Sequence, residues 1–417
     1  MRGSRVWRKV LGVQHVTVEG FEYEGEGDDE VLVFAVCPTR GRRGRCSRCD
    51  RKCRGYDQGG GRRRWRALDL GTTRVFLEAD APRVTCPEHG VVVAAVPWAE
   101  PGSRFTAAFE DMCAWLTART TATVVCALLR VTWRSVSAVV DRVVADRAGK
   151  TDMLAGLRRI GIDEIAHRRG HRYLTCIVDH DTGRLVWAAP GRNSDTLKGF
   201  FDLLGEERAS QLTHVTADGA EWIHSVVRAR APKAALCLDP YHIVAWATKA
   251  LDQVRRQTWN QLRSAGDHQA ATAFRGSRWA LVKNAEDLTG RQRTTLAGIA
   301  KTNARLYRAY LLKEQLRMVF VAKGESGRAL LAGWISWARR CRIPEFVKLA
   351  KTITKFLPLI TNTLLHRMSN ARSEATNTHL RTLTTRAYGF HTPEALISMA
   401  MLTRGGLCPP LPGRNHP

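Results

Sequence analysis

The stretch between about Leu157 and Asp239 limits the possible folds more than any other part of the chain. Three short apolar runs come first, "RRIGID", "YLTCIVD" and "GRLVWAAP", with "DHDTG" as the turn joining the second to the third. Helix and strand periods then alternate. "SDTLKGFFDLLGEERA" reads as a helix with Ser194 or Asp195 as N-cap, "LTHVTAD" as a strand, "AEWIHSVVRAR" as a helix and "AALCLD" as a strand. Hairpin-linked strands followed by strands interleaved with helices describe a mixed α/β sheet.

Acids fall at the strand ends. Asp163 closes the first predicted strand and Asp218 the fourth, where Gly219 permits a sharp exit. If those strands are neighbours, both carboxylates emerge at one edge and can bridge divalent cations. Glu164 would point the opposite way, because strand side chains alternate. Asp179 and Asp181 sit in the hairpin turn and read as turn residues. A third carboxylate should come from a later helix, and Glu374 in "HRMSNARSEATNTHLRTLTTRAYGF" is the best candidate. Asn370, Asn377 and Arg381 share its helix face, a polar stripe for which a purely structural helix has little use.

At 417 residues, with 44% hydrophobic residues and 12 tryptophans, the chain can bury more than one core. Its first 100 residues hold short alternating runs broken by Gly and Arg clusters, a small β-rich module that something other than a core must staple. A bound metal is the expected staple, free buried thiols being the alternative. "CSRCDRKC" supplies Cys46 and Cys49, and "CPEH" supplies Cys86 and His89, two closely spaced pairs of the kind a tetrahedral Zn²⁺ site requires. Cys37 and Cys53 are spare candidates, and Cys53 could replace a member of the set. Eleven cysteines in a chain without a signal-peptide core suit thiols or metal ligands rather than a disulfide framework.

The period then becomes helical. Phe105, Phe109, Met112 and Leu116 fall on one face. "TATVVCALLRVTWRSVSAVVDRVV" reads as a helix, a turn around Leu129 to Val131 and a second helix opening at Thr132. Val136, Val139, Val140 and Val143 face inward there, leaving Trp133, Arg134, Ser137, Asp141 and Arg142 outward, a helix-turn-helix candidate whose second helix would meet base edges. Arg130 stands where a turn glycine is common. From Tyr241 to about Phe356 the sequence is helical and Arg/Lys-rich, and a last helical block runs from about Leu359 to Leu402.

Lys and Arg outnumber Asp and Glu by 65 to 39, a formal charge of +26, and the excess is uneven. Between Arg40 and Arg66 twelve basic residues face only Asp50 and Asp57. Such a field attracts a polyanion, nucleic acid above all. No run of about 18 uncharged apolar residues occurs, so a membrane span is not expected and the cytoplasm is. A glycine-rich phosphate loop is absent, which argues against ATP-driven chemistry.

The order CxxC, CPEH, helix-turn-helix, "GIDE", "TADG", "LDPYH" and "SNARSEATN…RAYGF" resembles the ISL3 family of bacterial insertion-sequence transposases over nearly the whole chain. The resemblance implies a DDE enzyme with a ribonuclease-H-like core. Asp163, Asp218 and Glu374 match its catalytic acids and would hold Mg²⁺ or Mn²⁺. Asp239 and His242 of "DPYH" match a D-x-x-H element, and with Asn370, Asn377 and Arg381 would orient the acids or touch DNA. Arg372 and the loop arginines Arg168, Arg169 and Arg172 could hold phosphate.

The expected architecture is therefore multidomain α/β. It comprises a zinc-binding β module (1–102), a helix-turn-helix domain (103–150), a ribonuclease-H-like mixed sheet (151–250), an α-helical insertion (251–358), the end of the core with the Glu374 helix (359–405) and a tail (406–417). Arg42, Arg43, Arg45, Arg62, Arg63 and Arg64, with Trp133, Arg134 and Ser137, would bind double-stranded DNA at the terminal inverted repeats. Metal-dependent cleavage and strand transfer would follow there and on target DNA in the bacterial nucleoid, by at least a homodimer since two ends must be joined. Two other readings stay open: a zinc and helix-turn-helix DNA-binding protein without activity, and a nuclease that hydrolyses without joining.

Overall fold

The computed structural model describes residues 2–168, 170 and 172–414. Arg169 and the last three residues of the expected tail lie outside that set. The chain forms two compact units, one running up to Asp152 and resuming at Leu383, the other spanning Met153–Thr382.

The first unit opens with a helix (Arg2–Val10) followed by seven strands: β1 (Val16–Glu24), β2 (Val31–Pro38), β3 (Arg54–Asp57), β4 (Arg62–Leu70), β5 (Thr73–Asp80), β6 (Arg83–Cys86) and β7 (Gly90–Val93). They make two sheets, ordered β1-β2-β5-β4 and β3-β6-β7. Contrary to the expectation of a module without a core, Leu32, Phe34, Val36, Val75 and Leu77 pack around Trp65 and Trp98. The two indoles meet edge-on at 5.5 Å, and large buried side chains of this kind stabilise by roughly 1.5–3 kcal/mol each.

Three helices follow, Ala107–Arg119, Ala122–Leu129 and Trp133–Lys150. The first starts only after Thr106, whose hydroxyl caps the Phe109 N–H at 3.3 Å. Its buried face is Phe109, Glu110, Cys113, Ala114 and Thr117 rather than the expected stripe through Phe105, Met112 and Leu116. The face turned because it buries a charge: Glu110 accepts from Ser103 Oγ at 2.7 Å and from Arg142 at 2.6 and 2.9 Å. Arg142, expected to face outward, is committed to that pair. Thr132 caps the third helix through the Ser135 N–H, and Val136, Val139, Val140 and Val143 are buried as their spacing predicts.

The second unit carries β8 (Arg159–Arg168), β9 (Arg172–Asp179), β10 (Leu185–Pro190), β11 (His214–Ala217) and β12 (Ala235–Leu238), in one sheet ordered β10-β9-β8-β11-β12. The first three are antiparallel, while β11 runs parallel to both β8 and β12. Ile160, Ile162 and Val215 bury one face under Leu197, Phe200, Ile223 and Val227 of two helices. Asn193, not Ser194 or Asp195, caps the first of these, accepting the Thr196 N–H at 2.8 Å. Helices from Pro240–Ser264 to Leu357–Leu365 build a further core around Leu312, Trp334 and Phe346. Among the described residues no single helix is long and apolar enough to cross a membrane.

The opposite face of the sheet receives the helix Ala371–Arg386 at Gly161. A Cβ there would lie 2.7 Å from Asn370 Oδ1 and 2.9 Å from His180 Nε2, and would overlap Ser373 Oγ outright. Gly161→Ala should therefore push the helix off the strand and cost about 1–3 kcal/mol. Denaturant titration at unchanged m-value checks it; stability equal to wild type would contradict the packing.

Candidate functional site

Two clusters of potential ligands emerge, one in each unit. In the first, Cys46 and Cys49 lie on the loop between β2 and β3, Cys86 ends β6, and His89 sits in the turn before β7. The ligand atoms of all four lie within 4.8 Å of one another. Cys46 Sγ is 3.8 Å and Cys86 Sγ 3.6 Å from His89 Nδ1, and Cys49 Sγ is 3.7 Å from Cys86 Sγ. A tetrahedron of ligands about 2.0–2.3 Å from a zinc ion has edges of roughly 3.3–3.8 Å, so the set fits Zn²⁺. Burial would raise the Cys86 thiol, but the N–H groups of Glu88 and His89, with Cys46 and Cys49, outweigh it and bring Cys86 to about 7. Of the spare cysteines, Cys53 donates to Arg51 O at 3.3 Å but also lies against Cys86 and Cys46, whereas Cys37 accepts from Arg43 at 2.9 Å.

The arginines proposed for DNA differ in availability. Arg42 pairs with Asp50 at 2.9 Å, Arg45 donates to Asp50 O at 2.7 Å, and Arg43 donates to Pro38 O at 2.8 Å. Arg64 makes a bidentate pair with Glu24 at 2.7 Å and Arg62 lies 3.8 Å from Glu78. Arg63 is exposed and has no carboxylate partner among the described residues. On the helix-turn-helix, Arg134 and Ser137 are exposed, and Trp133, half-exposed, stacks on His391 at 5.4 Å. Arg130 takes the left-handed conformation itself, with φ 51°, and its guanidinium binds Asp69 and the Thr72 carbonyl.

In the second unit the acids come together at one edge of the sheet. β11 pairs with β8 so that Thr216 stands opposite Gly161. Two residues further on, Asp163 and Asp218 are level. Asp163 is mid-strand rather than at a strand end, because β8 continues to Arg168 against β9. For the same reason Arg168 and Arg172 lie on strand ends and not in a loop. Asp218 follows β11 and accepts the Ala220 N–H at 2.9 Å, while buried His224 donates to its carbonyl at 2.7 Å. Gly219 is required by close approach: a Cβ would come within 2.9 Å of Trp246.

The helix Ala371–Arg386 brings the third acid. Asn377 Nδ2 donates to Asp163 Oδ2 at 2.8 Å, which sets Glu374, one turn earlier, toward the same edge. Asn370, expected on that stripe, precedes the helix and points at the sheet, where Thr216 Oγ1 donates to its Oδ1 at 2.9 Å and also contacts His180 Nε2 at 2.6 Å. Arg372 binds the His180 carbonyl, and Arg381 is exposed. Asp239 caps the helix Pro240–Ser264 through the Tyr241 N–H at 3.2 Å, with His242 Nε2 3.7 Å from its other oxygen.

Burial raises Asp163 above the usual carboxylate range; Asp218 and Glu374 add to this, opposed by the Glu164 N–H and His242. Burial likewise raises Glu374, against His242. Burial, with the charges of Glu374 and Asp163, pushes Asp239 up to about 6. Among the described residues only the cysteine set closes to 4.8 Å; the carboxylates stand further apart, as like charges do. Buried Glu374 Oε1 and Asn377 Oδ1 have no hydrogen-bond partner, so donors remain for a cation. Sequence reasoning missed the burial of Glu164. It lies on the Ile160/Ile162 side, 2.7 Å from Arg192, and burial first and Asp218 second raise it to about 7.

Residues 160–400 match the family model described as a transposase, DDE type of ISL3. Residues 94–144 match the helix-turn-helix domain of transposase family ISL3, and residues 42–89 the zinc-finger of transposase IS204/IS1001/IS1096/IS1165. The chain is 52% identical over 440 residues to the transposase for insertion sequence element IS1557 of Mycobacterium tuberculosis, covering 100% of this chain and 99% of that one. It is 26% identical over 352 residues to the transposase for insertion sequence element IS1001 of Bordetella parapertussis, covering 84% and 86%.

Asp239 yields a pH test. Its folded value, about 6, exceeds the unfolded value near 3.9. The folded state therefore holds the extra proton between those values, and the stability this contributes is full below about pH 4 and lost as pH rises through 6. Asp239→Asn keeps the helix cap and removes the charge. It should stabilise the protein by up to about 3 kcal/mol at pH 7 and by little at pH 4, which denaturant titrations at the two pH values measure.

Proposed function

The chain belongs to the ISL3 family of insertion-sequence transposases, and on that premise we propose that it cuts and joins DNA at the ends of its element through Asp163, Asp218 and Glu374. The observation that carries this reading is the convergence of acids from β8, the end of β11 and a helix more than 150 residues later. The sheet order and strand directions support a ribonuclease-H-like core, and the helices after Asp239 serve as its insertion.

The residues fit a divalent cation: three acidic side chains face one edge, their mutual repulsion calls for positive charge, and Glu374 keeps a buried oxygen unpartnered. Mg²⁺ or Mn²⁺ held by Asp163, Asp218 and Glu374 would activate water or a 3′-hydroxyl and stabilise the departing oxygen. The chain's own residues set the geometry. Asn377 fixes the Asp163 carboxylate through its amide N–H. His224 and the Ala220 N–H fix Asp218. His242 faces Asp163, Glu374 and Asp239, and Asp239 caps the helix that carries it. Arg372, Arg381, Arg168 and Arg172 supply cations for backbone phosphate near the edge.

The zinc module and helix-turn-helix then hold the terminal inverted repeats, with Arg63, Arg134, Ser137 and Trp133 among the exposed residues there. Joining two ends calls for at least a dimer. With duplexes carrying the element's ends and Mg²⁺ or Mn²⁺, wild type should nick and join, while Asp163→Ala, Asp218→Ala and Glu374→Ala bind equally and react about a thousandfold slower or worse. Binding without cutting by wild type would instead favour a DNA-binding protein without activity, and cutting without joining a nuclease.

Cys46, Cys49, Cys86 and His89 would hold one structural zinc. The purified protein should contain one zinc per chain. Cys49→Ser should lose it together with DNA-end binding, and Cys53→Ser should keep both. Zinc loss in Cys53→Ser would move the ligand set.

A further inference from the structure

The turn that ends the Glu374 helix has an unusual occupant. The Tyr388 N–H donates to Thr385 O at 3.2 Å and the Gly389 N–H to Thr384 O at 2.8 Å, the paired bonds of a Schellman ending. Such a motif places one residue in the left-handed region, and glycine is the usual choice. Here that residue is Tyr388, with φ 52°. Its ring buries nothing in return, being 101% exposed. A bulky side chain at a disfavoured backbone angle and fully in water is no help to the fold.

The turn is also placed against the DNA-reading surface of the same unit. His391, three residues on, stacks on Trp133 at 5.4 Å, the first residue of the second helix of the helix-turn-helix. Three residues of chain reach at most about 10 Å, so the Tyr388 backbone lies within that distance of the residue that stacks on the first residue of that helix. Arg134 lies over the Trp133 ring at 5.6 Å, and among the described residues no carboxylate pairs with it. The helix has no acid in its first turn. The surroundings are cationic and aromatic, and the ring has a free face.

We propose that Tyr388 is a base-stacking residue: its ring packs on a base unstacked from the DNA end, while Trp133 and His391 hold the turn beside the recognition helix. This rests on the transposase reading above. An aromatic face accepts any base, so the contact would mark a distorted position in the duplex rather than a sequence.

The test uses the full-length zinc-loaded protein and end duplexes with 2-aminopurine at successive positions. Wild type should raise fluorescence severalfold at one position. Tyr388→Ala should melt like wild type, abolish that rise and cleave at least tenfold slower, whereas Tyr388→Phe and Tyr388→Trp retain both. A duplex mismatched at that position should restore cleavage by Tyr388→Ala, which a merely structural role would not allow. The proposal falls if Tyr388→Ala distorts and cleaves as wild type does, or if the mismatch restores nothing. Wild type that distorts the end but never cleaves would sink the transposase reading while leaving the stacking contact intact, since the fluorescence change of Tyr388→Ala still reads it.

Discussion

The seat of the helix Ala371–Arg386 on β8 is the contact on which the rest of the acidic edge depends. It is made at a glycine and by polar groups. Gly161 lets Asn370 and Ser373 approach the strand to distances no Cβ would permit. Thr216 joins Asn370 to His180, and Asn377 reaches Asp163. An apolar seat would hold a helix with slack in its rotation. Directional bonds fix that rotation, and a rotation of one residue would swing Glu374 away by about 100°. The same bonds make the arrangement demanding, since Ser373 Oγ and the Asn370 amide nitrogen are buried without partners, and each such group costs about 1–3 kcal/mol. A layer that tolerates this loss is being held for geometry rather than stability.

The large positive charge is not all available to a ligand. In the helical region Arg255, Arg256 and Arg278 surround Asp252, and Arg317 spans Glu286 and Glu314. Arg342, Lys348 and Lys351, which line a shallow cavity there, pair with no carboxylate among the described residues. In the zinc module most arginines are likewise tied to acids or carbonyls. Exposed ion pairs contribute little to stability, so phosphate can displace them at small cost. The charge that steers DNA is thus partly free, as at Arg63 and Arg134, and partly held in weak pairs that can exchange.

What the sequence disclosed depended on range. The strands of the central sheet were legible because apolar alternation and turn residues are local, and so was the cysteine and histidine spacing. Asp163 was misplaced to a strand end because only the ladder to β9 reveals that β8 continues past it. The helix Ala107–Arg119 was turned wrongly because apolar periodicity cannot see a buried Glu110 whose partner, Arg142, is 32 residues away. Asn193 went unnoticed as a cap since Ser194 and Asp195 beside it are equally good capping types. Glu164 was placed on the right side of its strand, but nothing local shows that this side closes over it with Arg192.

Of the non-glycine residues that the first unit holds at positive φ, Arg130 and Tyr388 both end helices and differ in everything else. Arg130 ends a helix at φ 51° where glycine would be cheaper, and its guanidinium binds Asp69 and the Thr72 carbonyl, tying the helix-turn-helix to the β module. The strain is offset inside the fold. Tyr388 ends a helix at φ 52° with its ring wholly in solvent. The turn's two backbone hydrogen bonds come with that conformation, but among the described residues no contact of the ring adds to them. The contrast is between a strained residue whose side chain is bound within the fold and one whose side chain is left to solvent.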